Sequence, residues 1–163
     1  MRSILLTLAL TVGFSQTTCT ADNSATRKLK TEPVIETPSN RVDSMKIKIK
    51  VADKTVTATL IDSKTTRDFV SLLPLTLTMN DLFKREKFRH LPRAISTEGK
   101  RAHTYEVGDI AYWSPGPDVA LYYRSDGQEI PDPGIIVIGR IDSGVESFDV
   151  PGSIRATIEL ERR

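Results

Sequence analysis

The chain has few of the residues that build metal sites and disulfides, and no large excess of either charge. One cysteine and two histidines are too few for a thiolate zinc site, and a lone cysteine excludes an intrachain disulfide. The 23 Lys and Arg residues are nearly balanced by 21 Asp and Glu residues, for a net charge of +2. This balance gives no strong field for a polyanion. We therefore predict no metal, no cofactor and no nucleic-acid partner.

The sequence also lacks an apolar run long enough to span a bilayer, which takes roughly 20 residues. The apolar run near the N terminus covers only residues 4–14. It follows Arg2 and precedes a polar stretch that ends at Ala21. A basic start, an apolar run of roughly 7–15 residues and a small residue at the cleavage point are typical of a secretory signal. We predict that residues 1–21 are a signal peptide and that the protein is exported to the periplasm or secreted.

Two alternatives to simple cleavage stay open. In a lipoprotein, Cys19 would become the acylated first residue and a membrane would then be a partner, although Thr17-Thr18-Cys19 lacks the usual Leu and Gly or Ala of that signal. The other alternative is an N-terminal helix or strand packed within the fold. Residues 22–44 are rich in Ser, Thr, Asn, Pro and charge and follow neither helical nor strand periodicity, so we predict a flexible linker.

The pattern changes at residue 45, where the predicted domain, residues 45–163, begins. Ile47, Ile49 and Val51 alternate with lysines, which is typical of a half-buried strand. At least seven such segments follow one another with Gly, Pro, Asp and Ser turns between them. Many short strands of this kind predict a mainly β fold that closes into a barrel.

One helix interrupts the strands. Asp62-Ser63 offers an N-cap, Thr65 and Asp68 have the spacing of a capping box, and Pro74 ends the segment, which predicts a helix over residues 66–73. A second short helical turn remains an option. The basic stretch at residues 84–93 is expected to be a solvated strand edge with Phe83 and Phe88 packed beneath it.

Several segments of the domain together resemble the cyclophilin fold and, more closely, a bacterial family of small cyclophilin-like barrel proteins. The resemblance covers residues 45–163 and implies a closed β-barrel with a groove. The segments that carry it are Leu72-Leu73-Pro74-Leu75, Leu91-Pro92, Thr97-Glu98-Gly99, Gly108-Asp109-Ile110 and Gly139-Arg140-Ile141-Asp142-Ser143-Gly144.

Resemblance to cyclophilins implies prolyl cis–trans isomerase activity, which depends on an arginine in a Phe-His-Arg stretch followed by Phe-x-x-Gln-Gly. Here the corresponding stretch is Phe88-Arg89-His90, with Arg and His transposed, and no Phe-x-x-Gln-Gly follows. If the protein is an isomerase, Arg89 is the candidate catalytic residue, with Arg93 as the other arginine of the region. Without these standard residues, a groove-type binding module for a small ligand or an extended peptide is the preferred prediction, and a weak isomerase acting on exported proteins is the alternative.

The candidate groove rests on an aromatic cluster. Four of the ten aromatic residues lie between positions 112 and 123, on two predicted strands. Strand periodicity directs half of them inward and leaves the others free to border a groove. Turn residues and a histidine are expected near its rim. The candidate groove residues are Tyr112, Trp113, Tyr122, Glu98, His90 and Asp142.

Overall fold

The computed structural model describes residues 45–161. The predictions of a signal peptide at residues 1–21, of lipidation at Cys19 and of a linker at residues 22–44 fall outside these residues. Within them there are nine strands, one α-helix (α1, Lys64–Val70) and one 3₁₀ helix (Val145–Phe148). The strands are β1 Lys46–Val51, β2 Lys54–Leu60, β3 Leu75–Leu82, β4 Glu86–His90, β5 Arg101–Ala102, β6 Asp109–Trp113, β7 Asp118–Tyr122, β8 Ile135–Ile141 and β9 Ile154–Leu160.

Eight of the strands form a closed antiparallel barrel. Their order is β2-β1-β9-β3-β4-β7-β6-β8, and β8 returns to β2 through pairs such as Ala58 with Ile141. The ninth strand, β5, adds two residues to the edge of β8. The predictions of a mainly β fold, a closed barrel, one helix and a second short helical turn are confirmed. No helix within residues 45–161 is long and apolar enough to cross a membrane.

Strand periodicity builds the barrel from its first hairpin. Ile47, Ile49 and Val51 face the core, and the lysines between them point outward. Lys50 reaches Glu159 on β9, with 2.8 Å between Nζ and Oε2. Exposed pairs of this kind contribute little to stability, so the buried apolar face of the hairpin is what holds it in the barrel.

The helix begins and ends earlier than predicted. Ser63 is its N-cap, with the Ser63 hydroxyl accepting a 3.0 Å hydrogen bond from the backbone N–H of Thr66. The last regular residue is Val70, and the backbone N–H groups of Leu72 and Leu73 bond three residues back, a tighter turn that leads toward Pro74. Phe69 is fully buried and fixes the helix against the barrel.

The expectation of a solvated strand edge at residues 84–93 is wrong for its first part. Arg85, Glu86 and Lys87 are all buried, and Glu86 begins a strand that lies between β3 and β7. Phe83 is instead 70% exposed, in the turn between β3 and β4. The pattern misled because the buried side chains of this strand include charged groups, whose partners come from distant parts of the chain.

Buried apolar residues form two clusters. The larger one fills the barrel interior. The smaller one lies on the outer surface of β6, β7 and β8 and includes Ile130 from the segment between β7 and β8. Its buried members are Ala111, Ala120, Tyr122, Ile130 and Ile135. The second cluster places a covered apolar surface outside the barrel, and this surface carries the candidate site.

Candidate functional site

A cavity of about 240 Å³ opens beside this second cluster, and we call it the outer-face cavity. It lies over the outer surface of β4, β7, β6 and β8. Its lining is mostly apolar and aromatic. The lining residues are Leu82, Phe83, Arg85, Glu86, Phe88, Trp113, Asp118, Ala120, Tyr122, Ile130, Pro131 and Ile135.

Strand register explains why these residues meet. On β4 and β7, Glu86 lies opposite Tyr122, and Phe88 lies opposite Ala120. Residues that face each other across antiparallel strands share one side of the sheet, so all four point outward. Ala120 leaves the floor of the cavity open because its side chain is small. The alternate residues of the same strands, such as Leu121, fill the barrel core.

Ile130 and Pro131 form one wall of the cavity, and hydrogen bonds with residues in and beside β5 hold this wall in place. The backbone N–H of Ile130 donates a 2.8 Å hydrogen bond to the carbonyl of His103. Arg101 donates through Nη1 to the carbonyl of Gly134 at 3.2 Å. The wall is therefore tied to β5 and the residue that follows it, and β5 in turn pairs with the barrel strand β8.

One end of the cavity carries a cluster of charged side chains and tyrosine hydroxyls. We call it the outer cluster, and its members are Arg85, Glu86, Tyr122, Asp126 and Tyr105. Arg85 donates through Nη1 to both carboxylate oxygens of Asp126, at 3.0 and 3.3 Å. Its Nε lies 3.5 Å from Glu86 Oε1, and this buried nitrogen has no hydrogen-bond partner. Tyr105 donates to Asp126 at 2.7 Å and stacks on Tyr122, with ring centroids 4.1 Å apart.

Glu86 is the buried carboxyl of this cluster, with its side chain only 6% exposed. Burial raises its pKa, and the hydrogen bond from the Tyr122 hydroxyl and the nearby Arg85 charge offset this only in part. The same burial, together with Glu86, raises the pKa of Tyr122, which keeps its proton. A carboxyl that ionises less readily than usual therefore lies in the cavity wall.

The other end of the cavity carries a second carboxyl, Asp118, whose side chain is 12% exposed. Trp113 lies opposite it on β6 and His90 opposite it on β4. The His90 ring contacts the Asp118 carboxyl through Nδ1. His90 itself is 67% exposed and borders a neighbouring shallow recess with Asn80, Phe88 and Arg89.

The predicted groove residues separate into three places. Trp113 and Tyr122 line the outer-face cavity, and His90 touches it through Asp118. Tyr112 lies inside the barrel, where its hydroxyl accepts a 3.3 Å hydrogen bond from the backbone N–H of Ile95. The structure does not bring Glu98 or Asp142 to the cavity.

Both of these acids have other partners. Glu98 pairs with Lys64 at the start of α1, and both side chains are exposed. Asp142 accepts hydrogen bonds from Lys46 at 2.8 Å and from Thr59 at 2.6 Å, so it holds the end of β8 to the first hairpin. Asp142 therefore holds a turn of the barrel, whereas the exposed pair of Glu98 and Lys64 contributes little to stability.

Neither predicted arginine reaches the cavity. Arg89 lies opposite Val119, on the side of β4 that faces the barrel interior, and at the exposed end of that strand. Arg93 donates to Asp68 and to Ser71 at the end of α1. The arginine that lines the cavity is Arg85, which sequence reasoning missed together with Glu86, Phe88 and Asp118 as cavity residues.

A signal for the missed strand was present in the sequence. Glu86, Phe88 and His90 follow a period of two, as do Lys87 and Arg89, but no apolar face marks which set points inward. Within residues 45–161, no group of three or more His, Cys, Asp or Glu side chains is placed to hold a metal ion.

Comparison with known proteins defines the family. Residues 49–159 match the model of the cyclophilin-like family, so the chain belongs to that family. A search of curated proteins finds no match. The solution structure of the hypothetical protein AF2241 from Archaeoglobus fulgidus is similar, with a TM-score of 0.59 and 23% identity over 76% of this chain and 99% of that one. At this identity, the likeness establishes the fold.

Proposed function

We propose that this member of the cyclophilin-like family is a binding module, whose outer-face cavity holds the apolar group of a small ligand or of an extended peptide. The observation that carries the proposal is the cavity itself, an apolar space with aromatic walls and a buried carboxyl. Binding sites are typically concave and apolar, with a few fixed polar groups.

The size of the cavity limits the ligand. Roughly 150 Å³ of dry apolar space is enough for a benzene molecule. The 240 Å³ present here accommodates one ring or one branched side chain with a polar group attached. Larger ligands would leave most of their surface at the open mouth, beside Phe83 and Pro131.

The position of Arg89 favours binding without turnover. A prolyl isomerase must place a hydrogen-bond donor at the twisting amide nitrogen, beside the pocket that holds the proline ring. Arg89 lies off the outer-face cavity, and the Nη1 of Arg85 is already engaged by Asp126. Weak isomerase activity remains the alternative.

The first experiment uses the single tryptophan, Trp113, which lines the cavity. Ring-sized fragments and proline-containing peptides are titrated while Trp113 fluorescence and the melting temperature are followed. We expect a saturable change that Ala120→Leu abolishes by filling the floor, whereas Ala94→Leu, at an exposed site, leaves it intact. Binding that survives Ala120→Leu unchanged contradicts the proposal.

A protease-coupled proline-peptide assay tests the alternative. The binding proposal predicts turnover at the uncatalysed rate, for the natural protein and for Arg89→Ala alike. Turnover well above that rate, lost in Arg89→Ala, would establish the isomerase instead.

We propose in addition that the domain acts after export, as the predicted signal at residues 1–21 indicates. Mass spectrometry of the mature protein should find an N terminus after Ala21. A lipid-modified Cys19, lost in Cys19→Ala, would identify a membrane-anchored lipoprotein instead, and an unprocessed chain inside the cell would contradict export.

A further inference from the structure

The polar groups that line the outer-face cavity indicate the charge of its ligand. Besides the Tyr122 phenol, which keeps its proton, three ionisable side chains line it: Arg85, Glu86 and Asp118. The positive charge of Arg85 is already balanced by Asp126, whose two carboxylate oxygens both accept from Arg85 Nη1. Two carboxyls remain, one at each end of the cavity: Glu86, which accepts from Tyr122, and Asp118, which the His90 ring contacts on one oxygen. These are acceptor sites, and a ligand that complements them must supply donors.

The aromatic side chains point to the same ligand. Phe83, Phe88, Trp113 and Tyr122 all border the cavity, and the face of an aromatic ring attracts a cation. The molecule already contains one example at this place. The guanidinium carbon of Arg85 lies 5.0 Å from the centroid of the Phe83 ring and 5.5 Å from that of the Tyr105 ring.

We propose that the outer-face cavity binds a small organic cation, an ammonium group on an apolar body of about one ring, with Glu86 as its counter-ion. This inference rests on the proposed binding function and specifies the chemical class of the ligand. The apolar body lies against Ala120 and Ile130, and the ammonium group donates to the Glu86 carboxylate.

The groups around Glu86 determine how selective the site is. Tyr122 from β7 donates to Glu86, Arg85 from the β3–β4 turn lies beside it, and Asp126 neutralises Arg85 from the far side. An anionic ligand would lose its hydration and face two carboxyls, which is costly in a buried site. A neutral ligand would gain only the apolar contacts.

Three probes of one shape test the charge preference: benzylammonium, benzyl alcohol and benzoate. Each is titrated into the full chain by calorimetry and by Trp113 fluorescence at neutral pH. We expect benzylammonium to bind about tenfold more tightly than benzyl alcohol, and benzoate to bind most weakly. Equal affinities, or benzoate as the tightest probe, overturn the cation proposal and leave the cavity as a binding site for apolar groups.

A pair of matched variants assigns the counter-ion. Glu86→Gln keeps an acceptor for Tyr122 and removes the charge, so it should abolish the advantage of benzylammonium and leave benzyl alcohol unchanged. Glu106→Gln removes an exposed carboxylate that pairs with Arg140 at 2.7 Å, and should change neither affinity. An advantage that persists in Glu86→Gln overturns the role of Glu86.

Different results would contradict the proposed binding function itself. If no probe binds the natural protein, or if Ala120→Leu binds benzyl alcohol as the natural protein does, the cavity itself is not the binding site. The melting temperature of each variant shows whether it is folded, and the three-probe series on the natural protein needs no variant at all.

Discussion

The two faces of β4 each bury charged residues, and they do so in opposite ways. On the inner face, Lys87 is fully buried and donates to Asp81 at 2.5 Å, to the carbonyl of Val150 at 2.5 Å and to that of Gly152 at 2.7 Å. We call Lys87, Asp81 and Tyr123 the inner cluster. Its ammonium group has three acceptors for three protons.

The outer cluster is less complete. Arg85 Nε is buried without a hydrogen-bond partner, and Glu86 has a raised pKa because burial outweighs its partners. In the inner cluster, burial also raises the pKa of Asp81, but hydrogen bonds from Lys87 and Tyr123 outweigh it and the pKa is lowered. Buried charged groups whose hydrogen bonds are all made are typical of structural clusters, whereas a buried group with a raised pKa or an unpartnered donor is typical of a binding site. We therefore interpret the inner cluster as structural and the outer one as functional.

The largest expected effect is that of Lys87→Met. Removing the ammonium group leaves Asp81 and two carbonyls without their buried donor, which should lower the free energy of unfolding by roughly 3–5 kcal/mol. Urea denaturation measures the loss. Lys84→Met, at an exposed position three residues earlier, should change it by less than about 0.5 kcal/mol.

If Lys87→Met fails to fold, the double variant Asp81→Leu/Lys87→Met provides a second measurement. Removing both charged partners should recover part of the stability, because an unpaired buried charge costs more than an apolar pair. A loss from Lys87→Met no greater than that from Lys84→Met would show that the inner cluster is not structural.

Two neighbouring tyrosines sharpen the comparison. Tyr123 donates to Asp81 at 2.7 Å in the inner cluster, and Tyr122 donates to Glu86 in the outer one. Tyr123→Phe removes a bond to an ionised carboxylate and should cost roughly 1.5–3 kcal/mol. Tyr122→Phe should cost less, about 1 kcal/mol, because the ring keeps its stack on Tyr105 and Glu86 keeps Arg85 beside it. Thermal unfolding of both variants at neutral pH decides this, and a larger cost at Tyr122 would contradict the interpretation.

The pH dependence of stability should have opposite signs in the two clusters. Because the pKa of Asp81 is lowered in the folded state, Asp81 stabilises the fold at pH values above its ordinary pKa. This stability is lost as the pH falls through the folded pKa. Because the pKa of Glu86 is raised in the folded state, its contribution to stability is present at pH values below its ordinary pKa. This contribution is lost as the pH rises through the folded pKa.

Difference curves between the natural protein and single variants isolate each group. Against Asp81→Asn, the natural protein should lose stability below about pH 4, and against Glu86→Gln it should lose stability above about pH 4.3. Urea midpoints measured from pH 3 to pH 8 provide both curves. Two slopes of the same sign would remove the distinction between the clusters.

The barrel was predictable from the sequence because most of its strands alternate apolar residues with polar ones. Ile47 and Ile49 face the core for that reason, and local pattern was enough to place β1. The strand β4 was not predictable, since its two inward residues, Lys87 and Arg89, are both basic. Whether a lysine can be buried depends on acceptors such as the Val150 carbonyl, which is remote in the chain.

The site was predictable only in part, for the same reason. Four aromatic residues on two predicted strands implied that some rings point outward, and Trp113 and Tyr122 do line the cavity. The acids were harder to place. Glu98 and Asp142 resemble rim residues in sequence, but Glu98 pairs with Lys64 at the surface and Asp142 holds a turn. Glu86 stands within a charged run that is typical of a solvated edge.

The smallest expected effect lies in the turn that joins β3 to β4. Phe83 and Lys84 both have left-handed backbone, with φ of 53° and 56°, a conformation that residues other than glycine rarely adopt. Lys84→Gly should therefore raise the free energy of unfolding by roughly 0.5–1 kcal/mol, as it relieves one of these two residues. Lys100→Gly, at an exposed position with ordinary backbone, should lower it slightly. Chemical denaturation of both variants gives the comparison.

This turn also connects the two clusters. The Asp81 carboxylate accepts a 3.0 Å hydrogen bond from the backbone N–H of Lys84, in addition to those from Lys87 and Tyr123. The inner cluster thus holds the turn that places Phe83 at the mouth of the cavity. Because Lys84 has left-handed backbone and Lys100 does not, Lys84→Gly stabilises the protein and Lys100→Gly does not. A loss of stability in Lys84→Gly would mean that the left-handed backbone of residue 84 costs the fold little, since glycine keeps the backbone N–H that donates to Asp81.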